Sequence, residues 1–285
     1  MPLTTPQPKQ QTKMTLKEAI NILTEAGVDS PTYDAEELFC HFCGYSRSTL
    51  YLMSEVESDS PRLSDAVYRR ARREPLQYIT GVAYFYREKY KVTPDCLIPR
   101  FDTEMLVDYA VKNLPGGALF ADLCTGSGCV AISVLCNTDL TSAIAVDIDA
   151  AALKVAEENA EANGVSERIS FRRLDLMSEQ LEERVYAVLS NPPYVSDEAY
   201  RGLEGEIFHE PPHAFVGGID GGDFYRRMTP IYKEKIDEGG FIAYEIGYDQ
   251  ADLLRSIAEE QGMSCEIIKD LSHNDRVAIL RHAKL

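Results

Sequence analysis

Asn191, Pro192, Pro193 and Tyr194 follow the apolar run VYAVLS at 185–190 without a break. Proline cannot donate to a β ladder, so the strand ends here. Together the four residues can hold a planar nitrogen. An amide or amine nitrogen whose lone pair is delocalised is a poor nucleophile. A site that uses one must hold both N–H bonds and aim the nitrogen. The Asn191 side-chain oxygen can accept one N–H, and the Pro192 carbonyl, stiffened by two rings, can accept the other. The Tyr194 ring can pack on the planar group. Positioning and electrostatics would then carry most of the rate, with no strong base required. The plainer reading is a loop that only ends a strand.

A second set of residues lies upstream. The strand pattern ALFADL at 118–123 runs into CTGSGC, with Gly126 and Gly128 at a turn into a helix. Glycine lets a ligand approach the backbone, and a helix start offers free N–H groups. The third glycine of a dinucleotide fingerprint and the lysine of a P-loop are missing, so G-x-G alone is weak. Asp147 strengthens it, closing the next strand pattern 19 positions after Gly128. In doubly wound folds such an acid binds ribose hydroxyls, a bond worth roughly 1.5–3 kcal/mol. The competing role, helix N-cap, suits Asp149 better. Asp175, after the third strand pattern, could reach an adenine amino group with Leu176 beside the ring, or simply serve its turn. Asp122 could orient the loop. A glycine pair, a ribose acid and an adenine acid without a pyrophosphate fingerprint fit S-adenosylmethionine better than NAD.

The elements that must position these groups alternate. From about 102 onward there are helical patterns at 102–113, after Gly128, and at 149–163, 223–236 and 248–262. Strand patterns fall at 118–123, 142–147, 168–173, 185–190, 240–245, 264–269 and 276–281. This predicts an α/β fold with an open, mostly parallel seven-stranded sheet covered on both faces, closed by an antiparallel edge hairpin. Ligands bind at the carboxyl ends of such strands. Residues 14–73 read instead as a small helical bundle. Thr15 and Glu18 form a capping-box pattern, Gly27 a stop, and Pro31 a first turn. Residues 76–93 look like a hairpin linking the two parts. The division is therefore a tail at 1–13, a helical domain at 14–75, a hairpin linker at 76–95 and a catalytic domain at 96–285.

The 285 residues carry a formal charge of −17, with pI near 4.7. An acidic surface disfavours non-specific binding to nucleic acid or an anionic membrane. The run RRARR, Arg69 to Arg73, is a local reversal. It is a solvated helix face or a contact for a negatively charged partner. No apolar run approaches the roughly 18 residues of a membrane span. The polar N-terminus lacks a signal-peptide core and reads as a disordered tail. Seven scattered cysteines read as reduced thiols of a cytoplasmic protein. The Cys40–Cys43 pair, lacking a partner pair, reads as helix packing rather than a metal site.

DLCTGSGC, AVDID, LDL and NPPY together resemble class I S-adenosylmethionine-dependent methyltransferases acting on planar nitrogen, with a Rossmann-like fold. LIPRFDTE at 97–104, EPLQYITG at 74–81, HEPPHAFVGGIDG at 209–221 and HNDRV at 273–277 narrow this. Over about 14–282 the chain resembles the PrmC (HemK) family, which methylates N5 of the GGQ glutamine in peptide chain release factors. The resemblance implies that Cys124, Thr125, Gly126, Ser127, Gly128, Asp147, Asp175, Leu176 and Asn191 hold the cofactor. It implies that Asn191 to Tyr194 hold the glutamine, with Arg100 and Phe101 nearby and no metal. Cys124 replaces a usual glycine, Leu176 an aromatic and Phe101 a proline. The first could narrow the loop, and the second could weaken adenine stacking.

Two rivals remain at this stage. An adenine-N6 DNA or RNA methyltransferase shares the chemistry, but a base-flipping enzyme needs a basic groove. A non-catalytic cofactor-binding module would not need an intact NPPY. The expectation is a monomer whose partner is a release factor, without DNA or membrane.

Overall fold

The structure is a computed structural model that describes residues 13–53, 55–203 and 205–283. The expected tail at 1–13 lies, except for Lys13, outside the described residues. The chain forms two compact units, 1–81 and 82–285.

The first unit is helical, with α1 (Leu16–Glu25), α2 (Pro31–Cys43), α3 (Arg47–Leu52), α4 (Pro61–Ala71) and α5 (Leu76–Thr80). Two short strands, β1 (Met14–Thr15) and β2 (Glu57–Ser58), pair antiparallel beside them. The Thr15–Glu18 capping box forms in full, and Pro31 opens α2. Leu23, Leu38, Phe39 and Leu63 are fully buried between the helices, and Cys40 and Cys43 pack against them.

RRARR is tied down at three of its four arginines, while Arg72 is exposed. Arg70 is 5% exposed and its Nε donates to Asp34 Oδ2 at 2.6 Å. Arg69 pairs with Glu74, and Arg73 donates to the Gly27 carbonyl. Arg70 ties α4 to α2 and Arg73 ties the end of α4 to the turn after α1, because a buried guanidinium must be matched by local acceptors. EPLQYITG also departs from expectation. Its 76–80 stretch is helical, because Pro75 caps the start and Gly81, at φ 71°, closes the end.

The second unit opens with the hairpin β3 (Val82–Phe85) and β4 (Glu88–Lys91). Then follow α6 (Glu104–Asn113), β5 (Leu119–Leu123), α7 (Cys129–Cys136), β6 (Ser142–Asp147), α8 (Ala150–Ala162), β7 (Ile169–Arg173) and β8 (Val185–Ser190). The chain continues through α9 (Asp197–Arg201), α10 (Asp223–Lys233), β9 (Ile236–Glu245), α11 (Ala251–Glu260), β10 (Met263–Lys269) and β11 (Asp275–His282). Short 3-10 helices lie at 101–103, 166–168, 205–209 and 212–214. The hairpin packs on α7 through Tyr90, whose hydroxyl meets Ser133 Oγ at 2.6 Å.

The sheet order is β10-β11-β9-β8-β5-β6-β7. Only β11 runs antiparallel to its neighbours. Each sheet face carries its own core, as period-2 alternation requires. Phe120, Ala187, Leu189 and Phe241 pack on the side of α6 and α7. Ala121, Leu123, Val188 and Ile242 pack on the side of α10 and α11. Strand order reverses between β5 and β8, which places a crevice at their carboxyl ends. Among the described residues no helix is long and apolar enough to cross a membrane.

Candidate active site

The crevice is built first by the loop after β5. Asp122, buried in β5, accepts from Thr125 Oγ1 at 2.6 Å and from the Ala131 N–H at 3.1 Å. It ties the loop to the start of α7. Burial pushes its carboxyl up to about 7, against the pull of those two bonds. Cys124, Gly126 and Gly128 all have positive φ, at 62°, 54° and 80°. Cys124 therefore occupies a backbone conformation that costs a side chain energy. Gly128 is required twice over, because an added Cβ would lie 2.8 Å from Ile132 Cδ1 and 3.0 Å from Ala156 Cβ. Its part is close packing of α7 on α8.

Asp147 ends β6 beside this loop. Its Oδ2 accepts from the Gly126 N–H at 2.8 Å and its Oδ1 from the Asp149 N–H at 3.0 Å. Burial raises its carboxyl above the usual range, and those two donors oppose the shift. Each oxygen keeps a further lone pair for a hydroxyl. Asp149 caps α8 through the Ala151 N–H, as expected.

A cavity of about 360 Å³ opens here. Cys124, Gly126, Asp147, Asp175, Leu176, Asn191 and Pro193 all line it. The wall is completed by Met177 and Phe224, which no sequence motif covered, and by Leu97, Ile148 and His213, which lie in the quoted segments but had been given no role. Asp175 also serves its own turn, accepting from the Met177 N–H and Ser178 Oγ. Thr125 and Ser127 lie instead on a small adjoining cavity of about 30 Å³, shared with Arg100 and Asn191. Ser127 Oγ is buried there without a hydrogen-bond partner among the described residues. A third cavity of about 50 Å³ is lined by Arg100, Asn191, Tyr194 and Glu245. Asn191 borders all three. Phe101 is 81% exposed.

Asn191 and Tyr194 converge on a group the sequence reading missed. Asn191 Nδ2 donates to Thr103 Oγ1 at 3.1 Å, and the Thr103 hydroxyl donates to Glu245 Oε2 at 2.5 Å. The Tyr194 hydroxyl donates to Glu245 Oε1 at 3.1 Å. Glu245 closes β9 and is 1% exposed. Among the described residues nothing donates to Asn191 Oδ1 or to the Pro192 carbonyl. The signal for Glu245 was an acid ending the apolar run FIAYE at the edge where ligands bind.

The longer sequence segments fix the frame. Glu210 of HEPP is buried, accepts from the Ile98 N–H at 3.0 Å and pairs with Arg100 of LIPR. The VGG strip lies along NPPY, with the Val195 N–H on the Phe215 carbonyl at 2.8 Å and the Gly217 N–H on the Val195 carbonyl at 2.9 Å. Arg276 of HNDRV bridges Asp102 of RFDTE, at 3.3 Å, and Asp270.

A seven-stranded sheet of this order, with one reversed strand and a crevice at the switch point, defines a class I methyltransferase. The ribosomal protein L11 methylase of Lactobacillus delbrueckii subsp. bulgaricus shares the fold, with TM-score 0.50 and 18% identity over 67% of this chain and 84% of that one. Residues 15–81 match the PrmC N-terminal domain and residues 101–218 the methyltransferase small domain. The release factor glutamine methyltransferase of Moorella thermoacetica is 35% identical over 93% of this chain and 96% of its own length. That of Thermodesulfovibrio yellowstonii is 35% identical over 88% and 92%. The chain belongs to the release factor glutamine methyltransferase family.

Proposed function

We propose that the protein methylates N5 of the glutamine in the GGQ motif of peptide chain release factors, with S-adenosylmethionine as the methyl donor. The observation that carries this reading is Asn191. The residue borders three cavities, its Nδ2 is tethered to Thr103, its Oδ1 accepts from no described residue, and the Pro192 carbonyl follows it. That pair of acceptors matches the two N–H bonds of a primary amide.

The residues present fit the cofactor. Asp147 has lone pairs for ribose hydroxyls, and Leu176 and Ile148 offer an apolar slot for an adenine whose amino group Asp175 would meet. Among the described residues the buried Ser127 Oγ lacks a partner beside the loop that would take the amino-acid end. Cys124, Thr125, Gly126 and Gly128 shape that loop. When bound, the sulfonium supplies an electrophilic methyl group. Asn191 and Pro192 hold the substrate amide in the plane that aims its nitrogen, Pro193 stiffens the carbonyl, and the Tyr194 ring covers the amide. The nitrogen becomes acidic as it gains the methyl, so its proton leaves to water without a strong base. Arg100 and Phe101 border the approach of the peptide.

The helical unit, assigned to residues 14–75, docks the release factor, with 76–95 joining it to the catalytic part, 96–285. The protein works as a cytoplasmic monomer, without direct contact to DNA or membrane. The test incubates it with labelled cofactor and either a release factor or duplex DNA. Label in the factor alone is the expected result; label in DNA alone would replace the reading with adenine-N6 methylation.

A further inference from the structure

An asparagine amide can be turned over without changing its shape, and only the orientation with Nδ2 on Thr103 leaves its oxygen free for a substrate N–H. Three hydrogen bonds select that orientation. The Thr103 hydroxyl proton is committed to Glu245 Oε2, so Thr103 Oγ1 can only accept from its other neighbour. That neighbour is Asn191, which must offer its NH2 group. Tyr194 donates to the other Glu245 oxygen. Every donor in this chain of bonds therefore runs toward one carboxylate.

We infer that the Glu245 carboxylate, acting through Thr103, fixes the orientation of the Asn191 amide and is a positioning residue for methyl transfer. This rests on the assignment of Asn191 to the substrate amide made above. A protonated Glu245 would donate to Thr103, turn that hydroxyl onto Asn191 and favour the opposite orientation. Asn191 would then present NH2 to the substrate NH2, two donors facing each other.

Burial pushes the Glu245 carboxyl up to about 7, while the Thr103 and Tyr194 bonds and the Arg276 charge favour its ionised form. Asp102 opposes them. Tyr225 from α10 and Cys129 from α7 also interact with it, both held neutral by burial, and Arg100, on the same small cavity, is paired with Glu210. Methyl transfer should therefore fall as pH drops through about 7.

The test compares the full-length wild type with Glu245→Gln, Thr103→Val and Thr103→Ser. Glutamine can donate to Thr103 and reverse the polarity at unchanged size. Glu245→Gln and Thr103→Val should lose about 100-fold in kcat, the order expected for a misplaced substrate group. Cofactor Kd should not change, and Thr103→Ser should recover most of the loss. The acid limb near pH 7 should be present in the wild type and absent in Glu245→Gln. A wild-type kcat with an unchanged acid limb in Glu245→Gln would overturn the inference.

A second readout does not depend on the substrate. In protein labelled with 15N-asparagine, the Asn191 side-chain NH2 should exchange slowly with water, and that protection should vanish in Glu245→Gln and Thr103→Val. Fast exchange in the wild type would overturn the inference. Should the wild type fail to methylate a release factor, the substrate reading fails and this measurement alone decides the orientation.

Discussion

Gly217 lies so close to the Pro193 carbonyl that a Cβ on it would stand 2.4 Å from that oxygen, and 2.9 Å from Tyr194 Cα. The glycine strip 217–221 is thus the bed on which the NPPY backbone rests. The obstructing atoms are backbone and cannot rotate away. Gly217→Ala should cost at least about 3 kcal/mol of stability and displace Pro193. Gly262 provides the comparison, because it has open space but φ 63°; Gly262→Ala should cost only about 1 kcal/mol. Urea unfolding of the two variants distinguishes contact from conformation, and equal losses would contradict the packing account.

Cys124 holds a φ of 62° that glycine adopts without strain. Cys124→Gly should unfold at no lower temperature than the wild type and bind cofactor at least as tightly, because a side chain leaves the cavity wall. Cys124→Val, with a branched Cβ in the same conformation, should lose about 2 kcal/mol. Calorimetric melting checks both. A stable valine variant would show that the loop carries no strain.

Asp147 tests the cofactor assignment. Asp147→Asn keeps an acceptor for the Gly126 N–H but loses the charge that ribose hydroxyls would meet. Cofactor affinity should fall by roughly 1.5–3 kcal/mol, about 10- to 100-fold in Kd. Titration calorimetry measures it, and an unchanged Kd would move the ribose elsewhere.

The Glu245 carboxyl also links stability to pH. Its value rises from 4.5 to about 7 on folding. A carboxyl raised in this way favours the folded protein most below its unfolded value. That contribution is lost as pH climbs through the folded value. Its size is up to about 3 kcal/mol. The stability of wild type relative to Glu245→Gln should therefore drop by about this much between pH 5 and pH 8.5. Urea denaturation at both pH values measures it, and a gap that widens with pH would contradict the sign. Above pH 7 the wild type carries a buried charge, and Asn191 gains its orientation at the expense of folding energy.

The sheet was legible because its strands alternate with helical patterns and end in residues whose chemistry suits a carboxyl edge. Asp147 ends its strand and Asp175 and Asn191 follow theirs, and the parallel topology alone brings them to one cavity. LQYIT was misread as strand because its three aromatic and β-branched residues, Tyr78, Ile79 and Thr80, carry a weak propensity, which Pro75 and Gly81 override. Strands β1 and β2 have two residues each and leave no periodicity. RRARR misled because charge runs are normally solvated, whereas Arg70 meets Asp34 across 36 positions of chain. The Thr103–Glu245 bond spans 142 positions. No local pattern announces such a pairing, although both residues sit at element ends beside motifs the sequence displays.

The central claim is that Asn191 holds a glutamine amide for methylation. Tandem mass spectrometry of the GGQ peptide, after a release factor is incubated with cofactor and either wild type or Asn191→Ala, tests it most directly. The predicted result is a single added methyl on the glutamine side chain with the wild type, and none with the variant, which still folds. A methyl on any other residue, or an equal yield with Asn191→Ala, would contradict it.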